Sequence, residues 1–243
     1  MPREPGRARL EGRGRGSVDV SRLLSQMSRE LADLDTHAGT VEAVTRYACT
    51  AVGCEDAGLM LVMGRNRVET PAGTSEDVDR AHQLQAELDE GPCLDSVRGG
   101  DELHLVNDIA GDPRWPAWGP AAAELGYRST IGASLETATR RIGSLNLYSR
   151  RAGAFDEADV EVARLLAAHA TVALAAADTE QQLRAAVESR TIIGQAQGIV
   201  MRAFDLDASR AFAYLTRLSQ DQNIKLSQVA EQVIADRHRI GRS

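Results

Sequence analysis

The sequence predicts an α+β domain joined by a long helix to an all-α domain of three helices. Three observations predict it. Upstream of about Ala154, helical patterns mix with short runs in which apolar residues alternate with small or polar ones. From Ala154 to Ile193 there is neither proline nor glycine. Beyond that, two further segments repeat apolar residues at helical spacing and are separated by polar breaks.

Length and composition bound the reading. A chain of 243 residues, 43 % hydrophobic, can build one large core and one small one. No run approaches the ~20 consecutive apolar residues of a membrane span. The charged start, MPREPGRARLEGRGRG, is followed by no apolar stretch, so no secretory signal is expected. Cys49, Cys54 and Cys93 are an odd number without an export signal, which predicts reduced thiols in a cytoplasmic protein. The net charge is −7, unevenly spread. Residues 189–243 hold eight Arg and Lys against five acids, hence +3, which leaves −10 for residues 1–188. An acidic body with a basic end is the asymmetry expected when one segment meets a polyanion.

The elements follow in order. Residues 1–17, with five arginines and four glycines and almost nothing to bury, read as a disordered tail. Arg22–Leu34 and Val41–Ala51 read as helices. Ala57–Met63, Arg67–Thr70, Leu103–Val106, Thr130–Leu135 and Gly143–Tyr148 read as strands. Ile131, Ala133 and Leu135 alternate with small or polar residues, as do Leu145 and Leu147, so the sheet is expected to pack one face on helices. Asp108–Pro120 is a loop rich in Pro, Gly and Trp. All seven prolines lie at or before Pro120, so a helix from about Asp156 to Phe204 can run unbroken for roughly 70 Å. Within it, Ala176, Leu183, Val187 and Arg190 fall at near-heptad spacing, a short seam for a homodimer.

Residues from about Thr40 to Ala177 carry six pieces in a particular order. These are Gly91-Pro92-Cys93, Val106-Asn107-Asp108, Asp112-Pro113-Arg114-Trp115-Pro116, Leu125-Gly126-Tyr127-Arg128-Ser129, Ile142-Gly143-Ser144-Leu145-Asn146-Leu147-Tyr148-Ser149 and Gly153-Ala154-Phe155. The series resembles a GAF domain of bacterial regulators. That resemblance implies an antiparallel sheet flanked by helices, with a pocket on one face, and either small-molecule binding or dimerisation or both. Relatives that bind a cyclic nucleotide carry Asn-Lys, then Phe, then Asp-Glu. Here Asn146-Leu147, Phe155 and Asp159-Val160 lack the Lys and the Glu, so no such ligand is expected and the cofactor stays unknown. Gly91 and Gly126 suit turns with positive φ, and Trp115 and Trp118 are expected to pack with their indole N–H satisfied.

Enzyme chemistry finds few candidates. His37, His82, His104, His169 and His238 show no metal-ligand spacing. Cys49 and Cys54 stand five apart, a spacing of neither zinc sites nor thioredoxins. Some GAF-fold enzymes reduce free methionine sulfoxide with a loop thiolate near the place of Cys93, which is the rival enzymatic reading. That chemistry needs a low-pKa thiol and a resolving partner.

Residues 189–235 read as three helices. The first ends at Phe204, before Asp205-Leu206. Asp207 is an N-cap for the second, whose buried stripe is Ala211, Phe212, Leu215 and Leu218. Asp221-Gln222-Asn223 breaks it, and the third buries Leu226, Val229, Ala230, Val233 and Ile234. Arg190, Ile193, Ala196-Gln197-Gly198-Ile199-Val200-Met201, Ala211, Leu215, Arg217, Asn223, Lys225-Leu226 and Val229-Ala230 together resemble the ANTAR domain, an RNA-binding module of transcription antitermination regulators. One departure is Gln197, where that family usually has Lys.

The resemblance implies a signal-responsive regulator that binds RNA stem-loops. Arg190, Arg202, Arg217 and Lys225 would neutralise phosphates, Gln197 would reach a base edge, and Ala196 and Gly198 would form a small-residue surface. Gly194 and Gly198, one turn apart, are also compatible with close packing of another helix. Of the aromatics Phe204, Phe212 and Tyr214, Tyr214 is the ring expected to be exposed. A helix-turn-helix reader of DNA is the alternative. The organisation expected is a tail over 1–17, a GAF-like sensor over 18–177, a helical linker over 178–188 and an ANTAR-like domain over 189–243.

Overall fold

The structure, a computed structural model, describes residues 19–34, 36–63, 67–99 and 103–236. The tail read over 1–17 and the basic group Arg237, His238, Arg239 and Arg242 lie outside the described residues. The chain divides into two units, Met1–Ala177 and Asp178–Ser243.

In the first unit the order is α1 (Val20–Ala32), α2 (His37–Val52), β1 (Asp56–Met63), β2 (Arg67–Gly73), α3 (Glu76–Leu88), α4 (Pro92–Arg98), β3 (Leu103–Val106), α5 (Trp118–Glu124), β4 (Ser129–Glu136), β5 (Arg141–Ser149) and the start of α6 (Glu157–Phe204). The five strands form an antiparallel sheet, β2-β1-β5-β4-β3. Local chemistry sets the helix ends. Thr36 Oγ1 accepts the Gly39 N–H at 3.1 Å to start α2. Gly53, at φ +71°, ends it by donating its N–H to the Cys49 carbonyl at 2.8 Å. Ser75 caps α3, whose first turn carries Glu76, Asp77 and Asp79 at the positive end of the helix dipole.

One face of the sheet packs Leu59, Ile131, Leu135, Leu145 and Leu147 against Met27 of α1, Val44 and Ala48 of α2, and Val160, Ala163, Leu166, Ala170 and Leu174 of α6. By length and composition α6 could cross a bilayer, but these apolar residues lie buried against the sheet. The second face departs from the expected half-exposed sheet. β4 and β5 are buried on both sides, because α3, α4 and α5 cover the face that carries Gly132, Asn146 and Tyr148. Small and polar residues at alternate positions look like a solvated face in the sequence. Here they make room for helices that no apolar periodicity announced.

The second unit contains the last turns of α6 with α7 (Ala208–Gln222) and α8 (Leu226–Ala235). Asp207 Oδ1 accepts the Arg210 N–H at 2.8 Å to start α7, and Asn223, at φ +52°, ends it. Ala196, Val200, Ala211, Leu215, Val229, Ala230 and Val233 form its core. Phe212 does not join them. It is 45 % exposed, since the small core between the end of α6, α7 and α8 is filled by the smaller Ala211 and Leu215 on its flanks.

Gly143 marks the closest approach in the sheet: a Cβ there would stand 2.1 Å from the Met60 carbonyl oxygen of β1. Gly143→Ala is expected to part β1 from β5 and to cost about 1–3 kcal/mol, the range for overpacked cores. Urea denaturation followed by circular dichroism checks it, and an unchanged midpoint would refute the clash.

Candidate functional site

In the first unit the chemistry-bearing side chains gather between the sheet and α3–α4. His82 and Gln85, both on the buried side of α3, point at it. Gln85 Oε1 accepts the N–H groups of Cys93 at 2.9 Å and Leu94 at 3.2 Å, and its Nε2 donates to Cys93 Sγ at 2.8 Å. One side chain thus serves the start of α4, where Gly91 at φ +136° leaves no room for a Cβ beside Gln85. Burial pushes the Cys93 thiol up to about 12, and its neighbours are Gln85 and the Tyr148 hydroxyl at 3.6 Å. That is the environment of an inert structural thiol. Cys49 and Cys54 pack with the opposite core, so the resolving partner that the rival enzyme reading needs is absent from this site.

His82 is fully buried, and desolvation lowers its pKa to about 3. Asn146 Nδ2 can only donate, so Nε2 of His82 accepts at 3.3 Å and Nδ1 carries the proton toward Thr70 Oγ1 at 3.1 Å. Among the described residues, the buried Asp79 Oδ1 of α3 and the sheet's Thr130 Oγ1, Ser134 Oγ and Asn146 Oδ1 have no hydrogen-bond partner in the protein. The indoles serve the fold as expected. Trp115 Nε1 donates to Asp95 at 2.8 Å, Trp118 Nε1 donates to the Ala81 carbonyl at 3.1 Å, and the rings meet edge to face. At the rim, Asp56 accepts from Thr74 and Tyr127, each at 3.0 Å, and Arg150 pairs with Asp77 at 2.8 Å. Among the described residues no group of His, Cys, Asp and Glu is placed to hold a metal.

The second unit sorts the residues read from the sequence into two groups. Ala196 is fully buried between the helices, and the Gln197 amide donates to the Ala208 carbonyl at 2.6 Å, tying α6 to the first turn of α7. Ala196 is thus a core position without free surface, whereas Gln197, half-buried, has its amide nitrogen engaged in a helix tie. The others face solvent. Arg190, Gly194, Gly198 and Arg202 are each four residues apart on α6 and all exposed, so they form one ridge of the helix. A Cβ at Gly194 or Gly198 would meet nothing within 4 Å. No neighbouring helix thus explains these glycines, and the helix backbone is bare between two guanidinium groups.

Arg217 is exposed on α7 with its guanidinium 3.7 Å from Asp221, and Lys225 is exposed at the start of α8. Phe204 and Tyr214 are partly exposed and lie 5.5 Å apart as a ring pair. Tyr214 was legible as an exposed ring, whereas the pairing with Phe204 joins two helices and had no sequence signal.

Comparison with known proteins gives two family matches. A model described as GAF domain matches residues 35–175, and one described as ANTAR domain matches residues 181–234. Solved structures share the fold of the first unit at low identity. The GAF domain of a phosphoenolpyruvate-protein phosphotransferase from Coxiella burnetii is 16 % identical, with a TM-score of 0.57 over 69 % of this chain and 99 % of that one. The corresponding Acinetobacter domain is 17 % identical, with a TM-score of 0.54 over 68 % and 99 %. A free methionine-R-sulfoxide reductase from Neisseria meningitidis is 19 % identical, with a TM-score of 0.50 over 69 % and 95 %. No curated protein matches the chain.

The buried histidine has a pH consequence. Its folded pKa, about 3, lies below the unfolded value near 6.5, so in that window the unfolded chain binds a proton that the folded chain refuses. Its contribution to stability is present above the unfolded pKa and is lost as pH falls. Denaturation at pH 7, 6 and 5 is expected to show stability falling with a slope that approaches about 1.4 kcal/mol per pH unit from this group. His82→Gln should flatten that slope; equal slopes in both proteins would mean that His82 is not held neutral.

Proposed function

The chain belongs to the GAF domain family and carries an ANTAR domain after it, and from that premise we propose how this regulator meets its RNA. The pairing is characteristic of signal-responsive regulators of transcription antitermination, which bind stem-loops in RNA, and in that pairing both domains are regulatory modules. The proposed contact surface is the ridge Arg190, Gly194, Gly198 and Arg202, together with the exposed Arg217 and Lys225. One observation carries it: two glycines that no packing requires, exposed between two arginines. Bare helix lets a flat base or a sugar approach the backbone, while the arginines neutralise phosphates on either side. Unpaired loop bases are the part of a stem-loop that a protein can read and stack, and the Phe204–Tyr214 pair offers rings for it.

The signal is proposed to be a small molecule received on the sheet face under α3 and α4, where Thr130 and Asn146 hold unpaired polar atoms. The active form is proposed to be a cytoplasmic homodimer that favours an antiterminator hairpin over a terminator. Every residue from Thr179 to Glu188 is exposed, including Leu183 and Val187, one turn apart and 62 % and 65 % exposed. A helix stretch bare on all sides gains stability from a partner, and a second copy offers the same apolar pair.

Titration of the full chain with labelled hairpin RNA and with duplex DNA tests the first part. Arg190→Ala, Arg202→Ala and Lys225→Ala should each weaken hairpin binding and lower the salt slope by about one. Gly198→Ala should stabilise the helix by up to about 1 kcal/mol, because its Cβ meets open space, and yet reduce RNA affinity. Preference for duplex DNA, or a Gly198→Ala protein that binds hairpins as before, refutes the surface. For the dimer, Leu183→Asp places a charge in an apolar contact. Sedimentation should show the wild type as a dimer and the variant shifted toward monomer, with the sensor still folded; an unchanged dimer refutes the helix contact.

A further inference from the structure

Two thiols that the sequence separates are neighbours in the fold. Cys49 occupies the last turn of α2, and Gly53 turns the chain back by donating its N–H to the Cys49 carbonyl from the left-handed region. In this kind of helix ending, the residue after the left-handed glycine frequently packs on the last turn of the helix, near the residue whose carbonyl is capped. Here those two residues are Cys54 and Cys49. The signature Cys-x-x-x-Gly-Cys therefore brings both side chains to one turn, where each acts on the other, although its spacing matches no metal or redox motif. Both cysteines are partly buried against the same core, and Cys54 Sγ is further fixed by donating to the Asp56 carbonyl at 3.4 Å.

We propose that Cys49 and Cys54 form an oxidisable dithiol, converted by hydroperoxides to an intramolecular disulfide that ties the end of α2 to the start of β1. The chemistry balances with the peroxide as the only co-reactant. The Cys49 thiolate attacks the outer peroxide oxygen and the O–O bond breaks. The leaving alkoxide or hydroxide takes up the proton that the thiol released, and Cys49 becomes a sulfenic acid. Cys54 sulfur then attacks Cys49 sulfur, the S–S bond forms, and the sulfenic oxygen departs as water with the Cys54 proton. Two thiols lose two electrons and one peroxide gains them.

The order of attack follows from the environment. The neighbouring Cys54 side chain holds the Cys49 thiol below its ordinary range, against the opposing effects of burial and of Asp56 and Glu55, while the Cys49 side chain and burial hold Cys54 above its own. Cys49 is the attacking thiol and Cys54 the resolving one. Cys93 provides an internal control, being fully buried on the other face of the sheet with its thiol pushed up to about 12.

The test uses the full chain, reduced and then treated with hydrogen peroxide, followed by thiol alkylation and mass spectrometry. The expected result is that two of the three thiols escape alkylation. The intact chain should be lighter by two hydrogens, with the change mapped to the peptide that holds Cys49 and Cys54 and reversed by dithiothreitol. Cys49→Ser and Cys54→Ser should each abolish the mass loss, and Cys93→Ser should retain it. Peptide mapping of the wild type decides the matter even if a serine variant folds poorly. Three alkylatable thiols after peroxide, a sulfinate on Cys49 beside a free Cys54, or disulfides only between chains would each overturn the proposal.

Discussion

Both cores of this protein are completed by the same helix. Toward its start, α6 buries Val160, Ala163, Leu166, Ala170 and Leu174 against the sheet; toward its end, it buries Ala196 and Val200 between α7 and α8. Helical geometry makes these demands strict. Each residue advances the face by about 100°, so each core needs its own register of apolar positions on one unbroken backbone. The chain meets the demand by omission, with no proline or glycine between Ala154 and Ile193. The interval between the cores then has nothing to pack on, and Thr179–Glu188 is left exposed. A sensor and an RNA-binding unit that share one helix have a covalent route between them that needs no further contact.

Elsewhere the structure is held by a few side chains that each serve several groups. Gln85 satisfies two backbone N–H groups and one thiol, and so fixes α4 over the sheet. Asp56 gathers Thr74 and Tyr127 at the sheet rim. Burying such groups is favourable only while their partners are kept, because an orphaned buried donor or acceptor costs roughly 1–3 kcal/mol. The polar interior under α3 and α4 is therefore specific and also incompletely satisfied, with Thr130 Oγ1 and Asn146 Oδ1 unpaired.

The glycines show how function and stability separate. Gly143 and Gly91 are required by close neighbours, and a side chain there would collide. Gly194 and Gly198 are required by nothing in the fold and cost the helix stability. The same residue type thus has opposite meanings, and only the space around each one tells them apart.

The sequence by itself determined the strands, the long helix, the cap at Asp207, the break at Asp221–Asn223 and the apolar stripe of α8, since these depend on spacing and local hydrogen bonds that any chain segment carries with it. It also determined that Trp115 and Trp118 would be buried with their N–H groups paired. Tertiary structure decided what covers the second face of the sheet. Helix α3 is mostly polar, and its contribution is His82, Gln85 and Val78, a surface no hydrophobic period reveals. It likewise turned Phe212 outward, drew Ala196 and Gln197 into the fold and left Gly194 and Gly198 bare. Cys49 and Cys54 lie between the two cases. Their pairing is local, set by one left-handed glycine, but becomes legible only when the helix is known to end there, because the physical contact is made by the turn and not by the spacing.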